Sequence, residues 1–380
     1  MRLLYVTNIV SHLQLPVARC LAASLGEGNF RFAAVEPPIA ERVKLGWDMQ
    51  DSEPWILRAG ENEADRSEFE QWWDEADVVL SGERRVARFA DRLRGGKLSF
   101  YMSERWWKPP FGMARLLHPR FARMACRFRQ LAQSSSFHSL PMGGYAAADM
   151  RRLASFPGRM WDWGYFTAVP EPLPPGIERD GPLRILWAGR MLSWKRVATL
   201  VRAFAGLLRQ APQARLTLIG DGPCREQLKR LTEKLGITSN VDFHSSMPVL
   251  QVRQQMRQAH VYVLPSSAYE GWGVVLNEAM SEGCAVVASE GAGSAKTMLR
   301  HGENGLLFKS GDHQQLAGWL IQLNADEPLR RRLAGAGQRT ISEAWSPSLA
   351  AERFLAVSDA LLSKRQVPDY REGPMRRSGG

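Results

Sequence analysis

Short apolar runs alternate with amphipathic stretches along most of the chain, and this alternation predicts strands and helices in turn. In the first half it predicts strands over 3–7, 77–80, 97–102 and 130–137 and helices over 16–25, 67–75, 84–93 and 145–153. In the second half the pattern is cleaner. Strands are expected over 184–188, 215–219, 241–243, 261–264 and 285–288. Helices are expected over 197–210, 225–235, 249–258, 273–282, 312–324, 328–343 and 348–362. Alternation of this kind predicts parallel sheets covered by helices on both faces, the α/β doubly wound class. Between the halves, Pro170, Pro172, Pro174 and Pro175 crowd a stretch that can continue neither a helix nor a central strand. We read 169–182 as a linker between a domain over 1–168 and a domain over 183–345. Two such domains facing each other would hold a ligand cleft at the carboxyl ends of their strands.

Length agrees, since 380 residues suit two domains. The chain is 44% hydrophobic and 23% charged, an ordinary globular mix. Its formal net charge is +11, which suits nucleic acid, an anionic membrane surface or phosphorylated ligands equally. Cys20, Cys126, Cys224 and Cys284 are scattered, with no CxxC pair or zinc spacing, so reduced thiols are expected. The apolar run at the N-terminus is too short for a signal peptide, and none is long enough to span a membrane. The expectation is a cytoplasmic protein, peripheral to a membrane at most. The polar, basic tail over 365–380 is expected to be disordered.

The chemistry concentrates in the second half. The segment from Leu264 to Met280 runs strand, turn, glycine-spaced loop, helix, and it carries Glu270 and Glu278. Backbone N–H groups at a helix start suit phosphate, and carboxylates suit sugar hydroxyls. If both glutamates were helical they would lie about 12 Å apart along the axis. Glycoside hydrolysis needs roughly 5 to 9.5 Å between its carboxylates. Glu270 precedes two glycines and belongs in the loop, so binding roles are favoured over hydrolytic acid/base work. Upstream, a strand ends at Gly189 with Arg190 and Lys195 in the following loop, two cations able to neutralise a pyrophosphate. Taken alone, that loop reads better as solvated. Leu218-Ile219-Gly220-Asp221-Gly222-Pro223 is a strand-to-helix turn or a nucleotide contact with equal weight. Gly291-Ala292-Gly293-Ser294 either caps a helix or lines the cleft.

In order and spacing, these segments resemble the retaining, GT-B-type glycosyltransferases of the large family 4. The resemblance rests on Gly189-Arg190 with Lys195, on Glu270 and Glu278 within Pro265-Ser266, Glu270-Gly271-Trp272-Gly273 and Glu278-Ala279-Met280, on Gly283 to Ser289, and on His301 to Gly305. It covers 183–345 strongly. It implies two Rossmann-like domains, a nucleotide-sugar donor site in the second and an acceptor site in the first. The helix over 346–364 would pack back on the first domain. Arg190 and Lys195 would hold the donor diphosphate, with Gly189 and Gly220 beside them. Glu278 would bond the ribose. Glu270 and the amides of Gly271, Trp272, Gly273 and Val274 would hold the donor sugar. The resemblance also implies front-face attack with retention. Base selection is assigned to the loop holding Met247, with UDP and GDP both open. No DxD pair occurs in the sequence, and with two cations on the phosphates no metal or other cofactor is expected. The resemblance also implies a saccharide or lipid-linked saccharide as acceptor, as in bacterial polysaccharide synthesis.

The first half departs from that pattern. Where many relatives carry a Gly-Gly loop, this chain has Ser11-His12-Leu13-Gln14-Leu15-Pro16. The active-site histidine of many relatives has no secure counterpart. Glu104, just past the strand over 97–102, and His12 are the acceptor-side candidates, weighed against a turn carboxylate and a helix-entry histidine. One stretch has separate interest. Met113, Leu116, Leu117, Phe121, Met124, Phe128 and Leu131 repeat at helical spacing with Arg115, Arg120, Arg123 and Arg127 between them, after Trp106, Trp107, Lys108 and Phe111. Such a stretch either lies on an anionic membrane or faces a core with a solvated basic side, the second being favoured. Pro119 should split it. Rival readings are another GT-B enzyme such as a nucleotide-sugar epimerase, or a basic nucleic-acid-binding protein. No recognisable nucleic-acid module supports the latter.

Overall fold

A computed structural model describes residues 1–47, 51–83, 85–170 and 181–378. Of the linker expected over 169–182, residues 171–180 lie outside the described residues. The chain forms two compact units, one of Met1–Ala168 with Ala344–Gly380 and one of Val169–Glu343.

The first unit holds β1 (Leu3–Thr7), β2 (Phe30–Ala34), β3 (Ile56–Leu57), β4 (Val78–Ser81), β5 (Leu98–Ser103) and β6 (Phe137–Pro141). All pairs are parallel, in the order β3-β2-β1-β4-β5-β6. The second unit holds β7 (Arg184–Ala188), β8 (Arg215–Ile219), β9 (Val241–His244), β10 (Val261–Leu264), β11 (Ala285–Ser289) and β12 (Leu306–Phe308). Its order is β12-β11-β10-β7-β8-β9, again wholly parallel. Each sheet therefore reverses its winding once, between β1 and β4 in the first unit and between β7 and β10 in the second. In such sheets the loops leaving the two strands at the reversal diverge and open a crevice. The loops after β7 and β10 are the two that carry Arg190, Lys195 and Glu270.

Both cores follow from buried parallel strands, whose side chains are apolar on both faces. In the second unit Leu200, Phe204, Leu216, Leu218, Val261 and Val263 are fully enclosed. The first unit is built on rings, with Phe89 lying 5.3 Å from Trp73 and 5.2 Å from Phe137, and Phe128 5.2 Å from Tyr101. The helix Pro347–Leu362 belongs to this unit, where Phe354 packs 4.9 Å from Phe100 and 5.8 Å from Trp163.

Several expectations are corrected. No strand forms over 130–137: the helix Pro119–Leu131 runs through Leu131, and β6 starts at Phe137. The helix expected over 84–93 is a short 3-10 turn, Val86–Arg88, followed by Phe89–Arg94. The strands β2, β3 and β12 and the helix Ala40–Lys44 have no counterpart in the sequence pattern, whereas the helix Gly293–Met298 is the one that Gly291-Ala292-Gly293-Ser294 was expected either to cap or to leave for the cleft. Pro119 does split the basic stretch, sitting at the first turn of its helix behind a 3-10 segment, Gly112–Leu117. The tail differs most. Far from disordered, residues 365–378 lie on the first unit. Met375 is fully buried, Arg376 pairs with Asp162 at 2.5 Å, and Ser378 Oγ donates to Asp162 Oδ1 at 2.6 Å. Arg353 stacks 4.3 Å over the Tyr370 ring.

Candidate functional site

In the second unit the site begins with glycines that let two loops touch. Gly189 (φ +153°) ends β7 and Gly220 (φ +131°) ends β8. A Cβ on Gly220 would fall 2.0 Å from the Gly189 carbonyl oxygen. Gly222 (φ +150°) sits as close to Met191, where a Cβ would meet backbone at 2.7 Å. Met191 N–H donates to the Asp221 carbonyl at 2.8 Å, closing the pair of loops. Asp221 accepts from Ser246 N–H at 2.7 Å, and that bond, with Arg225 nearby, holds its carboxyl below the usual range. This ties the turn to the loop that contains Met247.

The loop after β7 forms a 3-10 turn, Ser193–Lys195, and then the helix Val197–Leu208. Arg190 is exposed and makes no ion pair among the described residues. Lys195 reaches across to the β10 loop and pairs with Glu270 Oε2, which also accepts from Ser266 Oγ at 3.0 Å. Both side chains are largely buried, at 15% and 10% exposure. Lys195 also lies 4.6 Å from the Trp194 ring, which packs against Tyr269 at 5.3 Å. Ser267 N–H donates to the Trp194 carbonyl at 2.9 Å, so backbone as well as charge joins the two loops.

Glu270 stands in the loop, as its glycine context predicts. The helix that follows runs Val275–Ser281, so it opens two residues later than expected, and Gly271 to Val274 precede it. Gly273 has φ +92°, and a Cβ there would crowd Leu264, Glu270 Cγ and Ser294 Oγ at 3.1, 3.2 and 3.5 Å. Trp272 is fully buried and donates from its indole to Asn277 Oδ1 at 2.9 Å, pinning the loop to the helix. Glu278 is buried on that helix, with 4% exposed. Gly291-Ala292-Gly293-Ser294 opens the helix Gly293–Met298, and it also packs on the loop: Ser294 N–H donates to the Trp272 carbonyl at 2.9 Å.

Sequence reasoning missed Tyr262 here, and it gave Ser266 and Ser294 no role of their own. Ser266 and Ser294 are small polar groups in a buried loop, where only their position gives them meaning. Tyr262, on β10, donates its hydroxyl to the Ala188 carbonyl at 3.2 Å at the end of β7. Burial raises its pKa well above normal, and the charges of Glu278 and Glu270 raise it further. It lies within the field of both carboxylates, beneath the point where the strand order reverses.

In the first unit Glu104 follows β5, pairs with Lys108 at 2.9 Å and accepts from the Tyr165 hydroxyl at 3.4 Å. Its neighbours are structural. Arg105 forks onto the buried Asp149 at 3.1 and 3.2 Å, and Trp107 N–H donates to the same carboxylate at 3.0 Å. Trp106 and Trp107 are buried, which removes them from any exposed aromatic face. His12 lies in the turn before the helix Leu15–Leu25, 6.1 Å from the Trp47 ring. Another histidine, His138, lies inside the unit on β6. It accepts from the Trp161 indole at 3.2 Å, and burial pushes its pKa down to about 3, so it is a neutral core group.

Glu83, also missed, lies just past β4. It is 6% exposed, and among the described residues its Oε2 accepts no hydrogen bond. Burial raises its pKa against the pull of Arg88 and Arg85. A raised pKa means that the folded state holds this proton more tightly than the unfolded chain. The group therefore favours folding at low pH, and that advantage is lost as pH rises from the ordinary carboxylate range through the raised value. Glu83→Gln is expected to raise Tm at neutral pH by roughly 2–4 °C. The gain should shrink to nothing near pH ~4, where the wild-type carboxyl is protonated. A gain that stayed constant with pH would refute the assignment.

Comparison with known proteins agrees with this geometry. The sequence profile of the family "Glycosyl transferases group 1" matches residues 174–340. A lipopolysaccharide core biosynthesis glycosyltransferase, LpsE of Rhizobium meliloti, is 32% identical over 178 residues, covering 47% of this chain and 50% of the relative. The chain spans between 21% and 59% of the length of such curated relatives. Among solved structures, Anabaena HepE in complex with UDP matches 96% of this chain and 100% of that one, with TM-score 0.67 and 18% identity. Sucrose-phosphate synthase from Thermosynechococcus elongatus matches the same shares with TM-score 0.68 and 17% identity. At such identities the likeness concerns fold, and it gives the chain the GT-B fold of two Rossmann-like domains. The matched segment lies within the second unit and contains both glutamates, so residues 174–340 are similar to the glycosyl transferases group 1 family.

Proposed function

We propose that this protein is a glycosyltransferase that moves a sugar from a nucleoside-diphosphate sugar to a saccharide or lipid-linked acceptor, with retention and without a metal. One observation carries the reading: at the winding reversal of the second unit, the loop with an exposed Arg190 is joined to the next by a Lys195–Glu270 pair, with Glu278 buried on the helix that follows. Such a site offers cations for a diphosphate and carboxylates for hydroxyls in one place. A UDP donor is supported by HepE, whose structures contain UDP and UDP-glucose.

On this reading the anomeric carbon–oxygen bond to the diphosphate breaks and the acceptor oxygen bonds to the same face. The acceptor proton passes to the departing phosphate oxygen. Negative charge grows on that diphosphate, and Arg190 and Lys195 stabilise it. Before the donor arrives Lys195 neutralises Glu270. When the donor is bound Lys195 turns to the phosphates, and Glu270 accepts from the sugar hydroxyls. Glu278 holds the ribose. Glu104 and His12 serve the acceptor in the first unit.

Titration calorimetry with UDP and GDP tests this. One of them should bind the wild type and raise its Tm, since a ligand of the native state stabilises it. Glu278→Ala should weaken that binding about tenfold or more, the worth of a charged hydrogen bond. Unchanged affinity would remove Glu278 from the ribose. No binding of any nucleoside diphosphate, with tight and salt-sensitive binding of DNA instead, would overturn the whole reading.

A further inference from the structure

The basic stretch of the first unit divides in two. Its helix, Pro119–Leu131, turns Ala125, Phe128 and Leu131 into the core, as a core-facing helix should. The segment before it does the opposite. Phe111, just before the turn Gly112–Leu117, and Met113 and Leu117 on it are 67%, 49% and 86% exposed. Phe111 and Leu117 border an open apolar groove of about 740 Å³ with Phe121 and Met124. The turn is held from behind: Arg115 donates to the Trp106 carbonyl at 3.2 Å, and Trp106 is buried, donating to Ser103 Oγ at 3.1 Å. These apolar side chains are thus presented on a fixed base. Singly exposed leucines are ordinary, whereas three large apolar groups within seven residues beside a groove mark a contact surface.

Charge identifies the occupant. Between Glu104 and Asp149 the sequence has six arginines and one lysine and no acidic residue. Arg120, Arg123 and Arg127 are exposed on the helix that follows the turn. A second copy of this chain would set the same arginines against each other across a two-fold contact. An acidic, apolar-centred surface meets the requirement, and an anionic bilayer is such a surface. We propose that the segment from Phe111 to Arg127 docks this protein on an anionic lipid surface, with Phe111, Met113 and Leu117 entering the interface and the three arginines lying on the headgroups. Insertion of the apolar side chains supplies partition, and the arginines make it dependent on lipid charge and salt. This inference does not rest on the transferase reading.

Co-sedimentation with phosphatidylcholine vesicles, with and without phosphatidylglycerol, tests it. Binding is expected only with phosphatidylglycerol and should fall as salt screens the arginines. Phe111→Asp with Leu117→Asp should abolish it at unchanged Tm, because both side chains are mostly exposed. Arg120→Ser with Arg123→Ser, also at unchanged Tm, should weaken it about tenfold. UDP binding should be the same in all variants. Equal binding to neutral and anionic vesicles, or binding that survives the double aspartate variant, would overturn the proposal. So would self-association of the wild type that the aspartates abolish, since that would make a second copy the occupant.

Discussion

Lys195→Ala is expected to unfold at a markedly lower temperature than the wild type and to lose most of its affinity for a nucleoside diphosphate. The stability loss comes from Glu270. Its side chain is 10% exposed, and Lys195 is its cationic partner in the structure, with Ser266 adding one hydroxyl. Removing one member of a buried pair costs about 3 kcal/mol or more, because the remaining charge is left without compensation. For a unit of this size that is a fall in Tm of roughly 6–12 °C. The binding loss is separate and comes from the missing cation, about ten- to a hundredfold for a charge-assisted contact. A double variant separates the two. Lys195→Met with Glu270→Gln removes both charges, so most of the stability should return while donor affinity should not. A Tm within a degree of wild type for Lys195→Ala would show that the pair does not hold the loop. Donor affinity restored in the double variant would deny Lys195 its place on the phosphates.

Gly220→Ala should have the largest structural effect of any single methyl in the second unit. The position has φ +131°, which an alanine resists, and its Cβ would lie 2.0 Å from the Gly189 carbonyl oxygen. Neither atom is the end of a flexible side chain, so β7 and β8 must part at their carboxyl ends. A cost above about 4 kcal/mol is expected, enough to lower Tm by more than ~8 °C, with loss of nucleotide binding. The control is Gly318→Ala, on the exposed side of the helix His313–Ala325, where a Cβ meets nothing within 4 Å. There the same methyl should stabilise by about 0.5–1 kcal/mol, since it lowers the entropy lost on folding. Thermal melting of both variants suffices. If Gly220→Ala melts with the wild type, the contact between the two glycine loops is not needed.

The second unit was the more readable half for a physical reason. Its strands are runs such as Val261-Tyr262-Val263-Leu264 and Ala285-Val286-Val287-Ala288, rich in β-branched residues and followed by proline or serine. In β2 the sequence is Phe-Arg-Phe-Ala-Ala, and in β6 it is Phe-His-Ser-Leu-Pro, with His138 and Ser139 both buried. Neither shows the apolar run of an interior strand, so the sequence pattern does not predict the first and sets the second too early. Of the site, the charged residues and their loops were legible from motif order. The pairing of Lys195 with Glu270 was not, because both had been assigned to ligands, and without a ligand each neutralises the other. The tail was illegible for another reason. Its composition is polar, and what orders it is Asp162, more than two hundred positions away in sequence.

The first unit is assembled from both ends of the chain, whereas the second is continuous. Its strands come early, but Phe354, Met375 and Arg376 arrive only after the whole second unit. During synthesis, then, the second unit can complete its sheet while the first still lacks the helix Pro347–Leu362 and the strap on Asp162. The part made first is the part finished last. In that interval the faces later covered by Phe354 and Met375 stand open, and a chain stopped before Ala344 would leave the ribosome with its later half folded and its earlier half waiting.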